Sequence, residues 1–172
     1  MESNPINARA YALPQPPDMA PDLFLPGALD LDSDAAPWIP QSPGVSFRPL
    51  ILNAGQGYYV NLLRVTRAGL LSRHRHSGPV HAFTLRGSWH YLEHEWTAVA
   101  GGYVFEPAGM THTLVVSSDV MVTLFHVTGG YVYVDAQGKP TGFEDVFTKI
   151  AAARAHYARM GLEARPLEEI IR

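Results

Sequence analysis

The sequence predicts an all-β domain, a small barrel or sandwich of antiparallel strands. Between residues 45 and 134, short runs rich in β-branched and aromatic residues alternate with Gly, Pro, Asn and Ser, which is typical of strands joined by turns. No helical pattern interrupts these runs, and closing or doubling the sheet would protect its edges. After Asp135 the apolar spacing becomes helical. We therefore expect an arm over residues 1–45, a barrel over 46–135 and a helical segment over 136–172.

The N-terminal arm is rich in proline, which disfavours a long helix or a central strand. It also contains large apolar residues, including Leu23, Phe24 and Trp38, which disordered segments usually lack. We expect an ordered arm that packs on the domain or on a partner subunit.

Eight strands are expected in the barrel, with turns at Gly-containing segments and at Ser117–Asp119, because glycine adopts positive φ at little steric cost. They are placed near residues 47–52, 58–66, 80–85, 88–94, 103–106, 112–116, 120–127 and 131–134. A helix is expected over 142–160, with Thr141 and Glu144 as a capping box and Gly161 at its end. A second short helix is expected over 166–171.

Composition limits the possible functions. The chain of 172 residues, 47% hydrophobic and 17% charged, fits one globular domain. A net charge of −3 without a basic run predicts neither nucleic acid nor an anionic membrane as a partner. The absence of cysteine excludes disulfides and thiolate ligands. Residues 1–17 do not resemble a signal peptide and no apolar run is long enough to span a membrane, so a cytoplasmic location is expected.

Three histidines suggest a metal site. His74 and His76 would share one face of an extended strand, and imidazole is a common ligand of zinc, copper, iron and nickel. His112 opens a later strand, behind the turn-prone segment 107–109, and could return beside them. Alternatively, His74 and His76 would lie on a solvent-exposed strand face, and His112 would hydrogen-bond the backbone at the end of a strand.

Two segments resemble the paired motifs of the cupins, which implies a small β-barrel with a metal inside. Gly69, His74, His76 and Gly87 resemble the first motif, and Gly101, Pro107, Gly109 and His112 resemble the second. In cupins the first motif supplies two histidines and a glutamate, and the second supplies one histidine. The resemblance therefore implies His74, His76 and His112 as ligands.

One departure from the cupin pattern is chemical. Val80 stands where the motif usually has glutamate, and a register one residue longer would select His81 instead. Val80 and His81 would point to opposite faces of a strand, so at most one faces the metal. We expect three neutral histidines without a carboxylate ligand, which leaves an octahedral ion three open positions. Zinc would fit as well as iron by this argument.

Longer stretches resemble the 2,4'-dihydroxyacetophenone dioxygenases. They cover residues 47–50, 57–65, 71–76, 89–94 and 138–150. The resemblance implies an iron(II) enzyme that uses dioxygen to cleave an aryl hydroxyketone between its ketone and hydroxymethyl carbons, giving 4-hydroxybenzoate and formate. Cupin resemblance also implies a homodimer or homotetramer. The alternatives are an oxygenase of another diketone or hydroxyketone, and a metal-binding sensor without turnover.

Such a reaction needs a base to remove the substrate proton. Glu106, just before the turn that leads to His112, is the first candidate and Tyr91 the second. The alternative roles are backbone hydrogen bonding in the turn for Glu106 and core packing for Tyr91. An aryl pocket could be lined by Trp89, Phe83, Phe105 and Phe125, although barrel cores also use such residues.

Overall fold

The computed structural model describes residues 10–33 and 36–172, and its fold is the expected all-β one. Twelve strands form two six-stranded antiparallel sheets that pack as a jelly roll, followed by two helices. The strands are β1 (Ile39–Ser42), β2 (Val45–Asn53), β3 (Tyr58–Val65), β4 (Gly69–His76), β5 (Val80–Arg86), β6 (Ser88–Tyr91), β7 (Ala98–Val99), β8 (Tyr103–Glu106), β9 (Thr111–Val116), β10 (Met121–Thr128), β11 (Gly130–Val134) and β12 (Pro140–Asp145). The helices are α1 (Val146–Met160) and α2 (Arg165–Glu168).

The two sheets have different strand orders, and each contributes to the interior. The first sheet has the order β1-β2-β3-β10-β5-β8, and the second has the order β12-β11-β4-β9-β6-β7. Strand β4, which carries the His-x-His pair, lies between β11 and β9. Its two histidines are therefore flanked by hydrogen-bonded strands on both sides.

The core lies between the sheets. Phe47, Leu52, Tyr59 and Trp89 are among its fully buried side chains, and burial of such large apolar surfaces is the main stabilising contribution to folding. The indole Nε1 of Trp89 donates a 2.9 Å hydrogen bond to Thr84 Oγ1, so the polar atom of this buried ring is also satisfied.

All eight expected strands are present, and four more accompany them: β1, β4, β7 and β12. Strands β1 and β12 lie outside residues 46–135, so the sheets extend beyond the barrel limits expected from sequence. Strand β1 is short and contains Pro40, whose missing N–H is tolerated because β1 is at the edge of its sheet.

The helix expected from residue 142 begins later, and its expected capping box is wrong. Helix α1 starts at Val146, and Asp145 and Thr148 form the capping box. Thr141 and Glu144 lie instead in β12, where pairing with β11 holds the chain extended. The expected end is correct, because Gly161 adopts a left-handed conformation with φ 64°.

Part of the N-terminal arm and the C-terminal segment pack against the domain. Leu23 and Leu25 of the arm contact the core, and the Arg48 guanidinium donates to the Asp30 carbonyl oxygen over 2.9 Å. At the other end, α2 is shorter than expected and Ile171 forms a parallel bridge with Leu52. Residues 1–9 and 34–35 of the expected arm lie outside the described residues. No helix within the described ranges is long and apolar enough to cross a membrane.

A buried ion pair joins α1 to β12. Lys149 Nζ lies 2.6 Å from Glu144 Oε1, and their side chains are only 3% and 10% exposed. Lys149 Nζ also donates to Gln41 Oε1 over 2.8 Å, which connects the pair to β1. A buried charge is tolerated only when it is paired and hydrogen-bonded, so each partner depends on the other.

Replacing Lys149 with methionine should lower the free energy of unfolding by about 3–5 kcal/mol, because it leaves the Glu144 carboxylate buried without its cation. Chemical denaturation measures the change. The exposed Lys139→Met variant is the matched control and should behave like wild type. A loss equal to that of the control would mean that the buried pair does not stabilise the fold.

Candidate metal centre

Three buried histidines lie close together on the inner face of the second sheet. His74 and His76 project from β4, and His112 projects from the adjacent strand β9, where it pairs directly with His74. All three are buried, and their candidate ligand nitrogens lie within 4.8 Å of one another. The structure thus brings together the three residues that the sequence predicted as ligands.

The environment of two of these histidines favours the neutral form that binds metals. Burial lowers the pKa of His74 well below its usual range and lowers that of His112 to about 4. The Ser72 hydroxyl lies 3.1 Å from His74 Nδ1 and helps to orient the ring. The His112 ring stacks on Tyr91 with centroids 3.9 Å apart, which fixes its plane. A deprotonated, oriented imidazole is what a metal ligand requires.

A carboxylate approaches the histidines from the opposite sheet. Glu106, the last residue of β8, places Oε2 3.0 Å from Nε2 of His76 and 3.5 Å from Nε2 of His112. The same oxygen accepts a 2.9 Å hydrogen bond from the Tyr91 hydroxyl. The sequence led us to expect no carboxylate ligand but a nearby base at Glu106, and this carboxylate lies within 3.5 Å of two of the histidines.

The register of the first sheet explains this arrangement. Val80 of β5 pairs with Glu106 of β8, so the glutamate lies one strand away from the position that carries valine in the first motif. Val80 is fully buried, whereas His81 points to the outer face and hydrogen-bonds Tyr103 over 2.8 Å. His81 is therefore not part of the centre. The motif spacing could not show how closely Glu106 approaches the histidines, because that distance depends on strand pairing.

Unsatisfied polar atoms indicate that the centre fits a cation. Among the described residues, both ring nitrogens of His76 and of His112, and Oε1 of Glu106, are buried without a hydrogen-bond partner. The short distances from Glu106 Oε2 to the two rings do not have hydrogen-bond geometry. Buried polar atoms are normally paired, so converging nitrogen lone pairs beside a carboxylate fit a divalent transition metal.

The centre lies between two cavities. The first has a volume of about 420 Å³ and includes His74, His76 and Phe125 in its wall. The second has a volume of about 450 Å³ and includes Trp96, Glu106 and His112 in its wall. Tyr91 borders both. Both volumes are within the range of small-molecule sites.

The candidate aryl-pocket residues separate into different environments. Phe125 lines the first cavity, Trp89 belongs to the core, and Phe83 is on the outer face with 45% exposure. Phe105 borders the second cavity but is 53% exposed. Sequence reasoning missed Tyr131, whose ring centroid is 4.9 Å from that of His74. Tyr131 and Tyr133 alternate on a predicted strand, and this pattern could have indicated that both side chains point to one face.

Comparisons with known proteins support this description of the fold. The family of ChrR cupin-like domains matches residues 28–132. An RmlC-like cupin from Ralstonia eutropha JMP134 is 28% identical, with a TM-score of 0.72 over 77% of this chain and 88% of that one. A cupin-like protein of unknown function from the same organism is 25% identical, with a TM-score of 0.70 over 77% and 87%.

An acetylacetone dioxygenase from Acinetobacter johnsonii is 16% identical, with a TM-score of 0.65 over 86% of this chain and 99% of that one, and therefore shares the fold. A comparison with curated proteins gives no match. The ChrR cupin-like match spans more than half of the chain and contains all three histidines. The chain therefore belongs to the family of ChrR cupin-like domains.

Proposed function

We propose that this protein is a non-haem iron(II) dioxygenase that cleaves an aryl hydroxyketone between its ketone and hydroxymethyl carbons. For 2,4'-dihydroxyacetophenone, the products would be 4-hydroxybenzoate and formate, which together contain every atom of the substrate and of dioxygen. The observation that carries the proposal is the cluster of three buried histidines, with Glu106 beside it, at the wall of a cavity.

His74, His76 and His112 would hold the metal, and the neutral state of His74 and His112 favours binding. Bound there, iron(II) would supply redox chemistry towards dioxygen and act as a Lewis acid that lowers the pKa of the substrate hydroxyl. Histidine ligands alone leave the ion's double positive charge unchanged. A nearby carboxylate such as Glu106 would reduce that charge and contribute a proton acceptor.

Glu106 and Tyr91 have separate roles in this proposal. Glu106 Oε2, which faces the ligand nitrogens, accepts the proton of the substrate hydroxyl. Burial, together with the negative charge of Glu106, raises the pKa of Tyr91 well above its usual range, so this phenol keeps its proton. Tyr91 is therefore a positioning residue that donates to Glu106 and stacks on His112, and not the base.

The first cavity suits an aryl group. Leu63, Leu114, Phe125 and Val127 contribute apolar surface to its wall. Such a wall would hold an aromatic ring, exclude water from the reacting carbons and orient the ketone towards the histidines. The apolar side chains would thus bind the ring and leave the ketone and hydroxyl at the histidines.

A diketone is the second candidate substrate, because it also presents two oxygens to one ion. The acetylacetone dioxygenase from Acinetobacter johnsonii, which shares the fold, motivates this alternative. Its substrate lacks an aryl ring, so the aromatic and aliphatic wall of the first cavity favours the aryl hydroxyketone.

Oxygen uptake and product analysis test the proposed reaction. Protein loaded with iron(II) should consume one equivalent of dioxygen per 2,4'-dihydroxyacetophenone and release equimolar formate and 4-hydroxybenzoate. Zinc-loaded protein is the control and should consume none, because zinc has no redox chemistry. Uptake with acetylacetone alone would favour the second candidate. Bound iron without uptake on any ketone would refute the dioxygenase and favour a sensor.

Replacing Glu106 with glutamine should lower the turnover rate by about 10²–10⁴-fold, because the amide cannot accept the substrate proton. The exposed Glu95→Gln variant is the matched control and should keep the wild-type rate. Oxygen uptake and iron content are measured together. A wild-type rate in Glu106→Gln would contradict the base assignment, and loss of iron with the rate would make Glu106 a ligand instead.

A further inference from the structure

Besides the ring nitrogens of His76, two buried polar groups at the wall of the first cavity have no hydrogen-bond partner among the described residues. They are the Tyr59 hydroxyl and Oδ1 of Asn61. The two residues alternate on β3, so both side chains point into the barrel, where they are 1% and 3% exposed. An unsatisfied buried polar group costs about 1–3 kcal/mol, so two of them in one cavity require an explanation.

The charged groups nearby are already paired with one another. Glu144 accepts hydrogen bonds from the hydroxyls of Tyr131 and Tyr133, and its ion pair with Lys149 neutralises the buried charge. Burial and the Glu144 charge raise the pKa of Tyr59, and a side-chain interaction with Tyr131 opposes them, but the Tyr59 hydroxyl has no partner with hydrogen-bond geometry among the described residues. On the first sheet, Tyr59 and Asn61 therefore each keep a polar atom available to a ligand.

The Tyr59 hydroxyl and Oδ1 of Asn61 are best satisfied together by a neutral hydroxyl group of a ligand. A ligand hydroxyl can accept from the Tyr59 O–H and donate to Oδ1 of Asn61, which satisfies both. A carboxylate or phenolate would face the lone pairs of Oδ1 and would find Lys149 already neutralised by Glu144. The same Glu144 charge, with burial as the larger cause, raises the pKa of Tyr59, so the surroundings favour protonated hydroxyls.

The cavity connects this pair to the histidines. Its wall includes Tyr59 and Asn61 on the first sheet and His74 and His76 on the second. Phe125 pairs with Asn61 across the first sheet and lines the same space. An aromatic ring lying along this wall would direct one substituent towards the histidines and another towards Tyr59 and Asn61.

We propose that Tyr59 and Asn61 form a hydroxyl-binding subsite that selects aryl ketones with a neutral hydroxyl on the ring, at the end opposite the ketone. The orientation rests on the proposed function, which places the ketone at the histidines. Recognition of the hydroxyl needs no turnover. These two residues determine specificity and take no part in bond cleavage.

Binding of acetophenones that lack the hydroxymethyl group tests the subsite without the cleavage reaction. Isothermal titration of the iron(II)-loaded protein should show 4-hydroxyacetophenone binding about 10-fold or more tightly than acetophenone, since two hydrogen bonds to buried groups are gained. The anion 4-acetylbenzoate should bind more weakly than acetophenone, because its carboxylate would face Asn61. The three probes differ only at the ring position that meets the subsite.

Substitutions of Tyr59 and Asn61 test whether these residues cause the preference for 4-hydroxyacetophenone over acetophenone. Tyr59→Phe and Asn61→Leu should each reduce the ratio of the two affinities severalfold towards one, because each removes one hydrogen-bonding group at similar volume. The matched control is Tyr58→Phe, the same change on the outer face of the same strand, which should keep the full ratio. Thermal melting verifies that each variant is folded.

The outcomes separate this subsite from the proposed reaction. Equal affinity of wild type for 4-hydroxyacetophenone and acetophenone would overturn the subsite, even if the hydroxyketone is cleaved. Preference for 4-acetylbenzoate would also overturn it, in favour of anion binding by Lys149. Hydroxyl-dependent binding that is lost in Tyr59→Phe supports the subsite, even if no oxygen is consumed and the dioxygenase proposal fails.

Discussion

The pairing of β4 with β9 is the constraint on which the site depends. It sets His74 directly opposite His112, and the two-residue period of β4 brings His76 to the same face. A shift of one residue in this register would turn His74 and His76 towards solvent and leave His112 alone inside. Burial of the surrounding core side chains on the same face opposes such a shift, so fold stability and site geometry have one cause.

The centre also depends on the closure of the two sheets. The histidines belong to one sheet and Glu106 to the other, so their 3.0–3.5 Å contacts exist only when the sheets pack face to face. Tyr91 strengthens the junction by donating to Glu106 while stacking on His112. Valine at position 80 allows Glu106 to approach the histidines, because a carboxylate at position 80 would lie directly beside Glu106 and repel it.

The sequence pattern predicted strands and motif spacings, which depend on residues that are close together along the chain. Alternation located eight strands, and the His-x-His spacing with its later partner located the three histidines. Strand β4 was not among those eight, because Arg73 and Arg75 alternate with the histidines and leave little apolar signal. Thr141 and Glu144 match the sequence pattern of a capping box, but pairing of β12 with β11 keeps them extended. The approach of Glu106 depends on contacts between strands distant in sequence.

The proposed chemistry requires His74, His76 and His112 to bind one transition metal beside Glu106. Anomalous diffraction at the iron edge, from anaerobic crystals of iron(II)-loaded protein, measures this binding. We expect a single peak among the three imidazoles, about 2.0–2.1 Å from one nitrogen of each ring, as for the nitrogen ligands of zinc. The absence of a peak there, or a peak bound by fewer than three of these histidines, would contradict it.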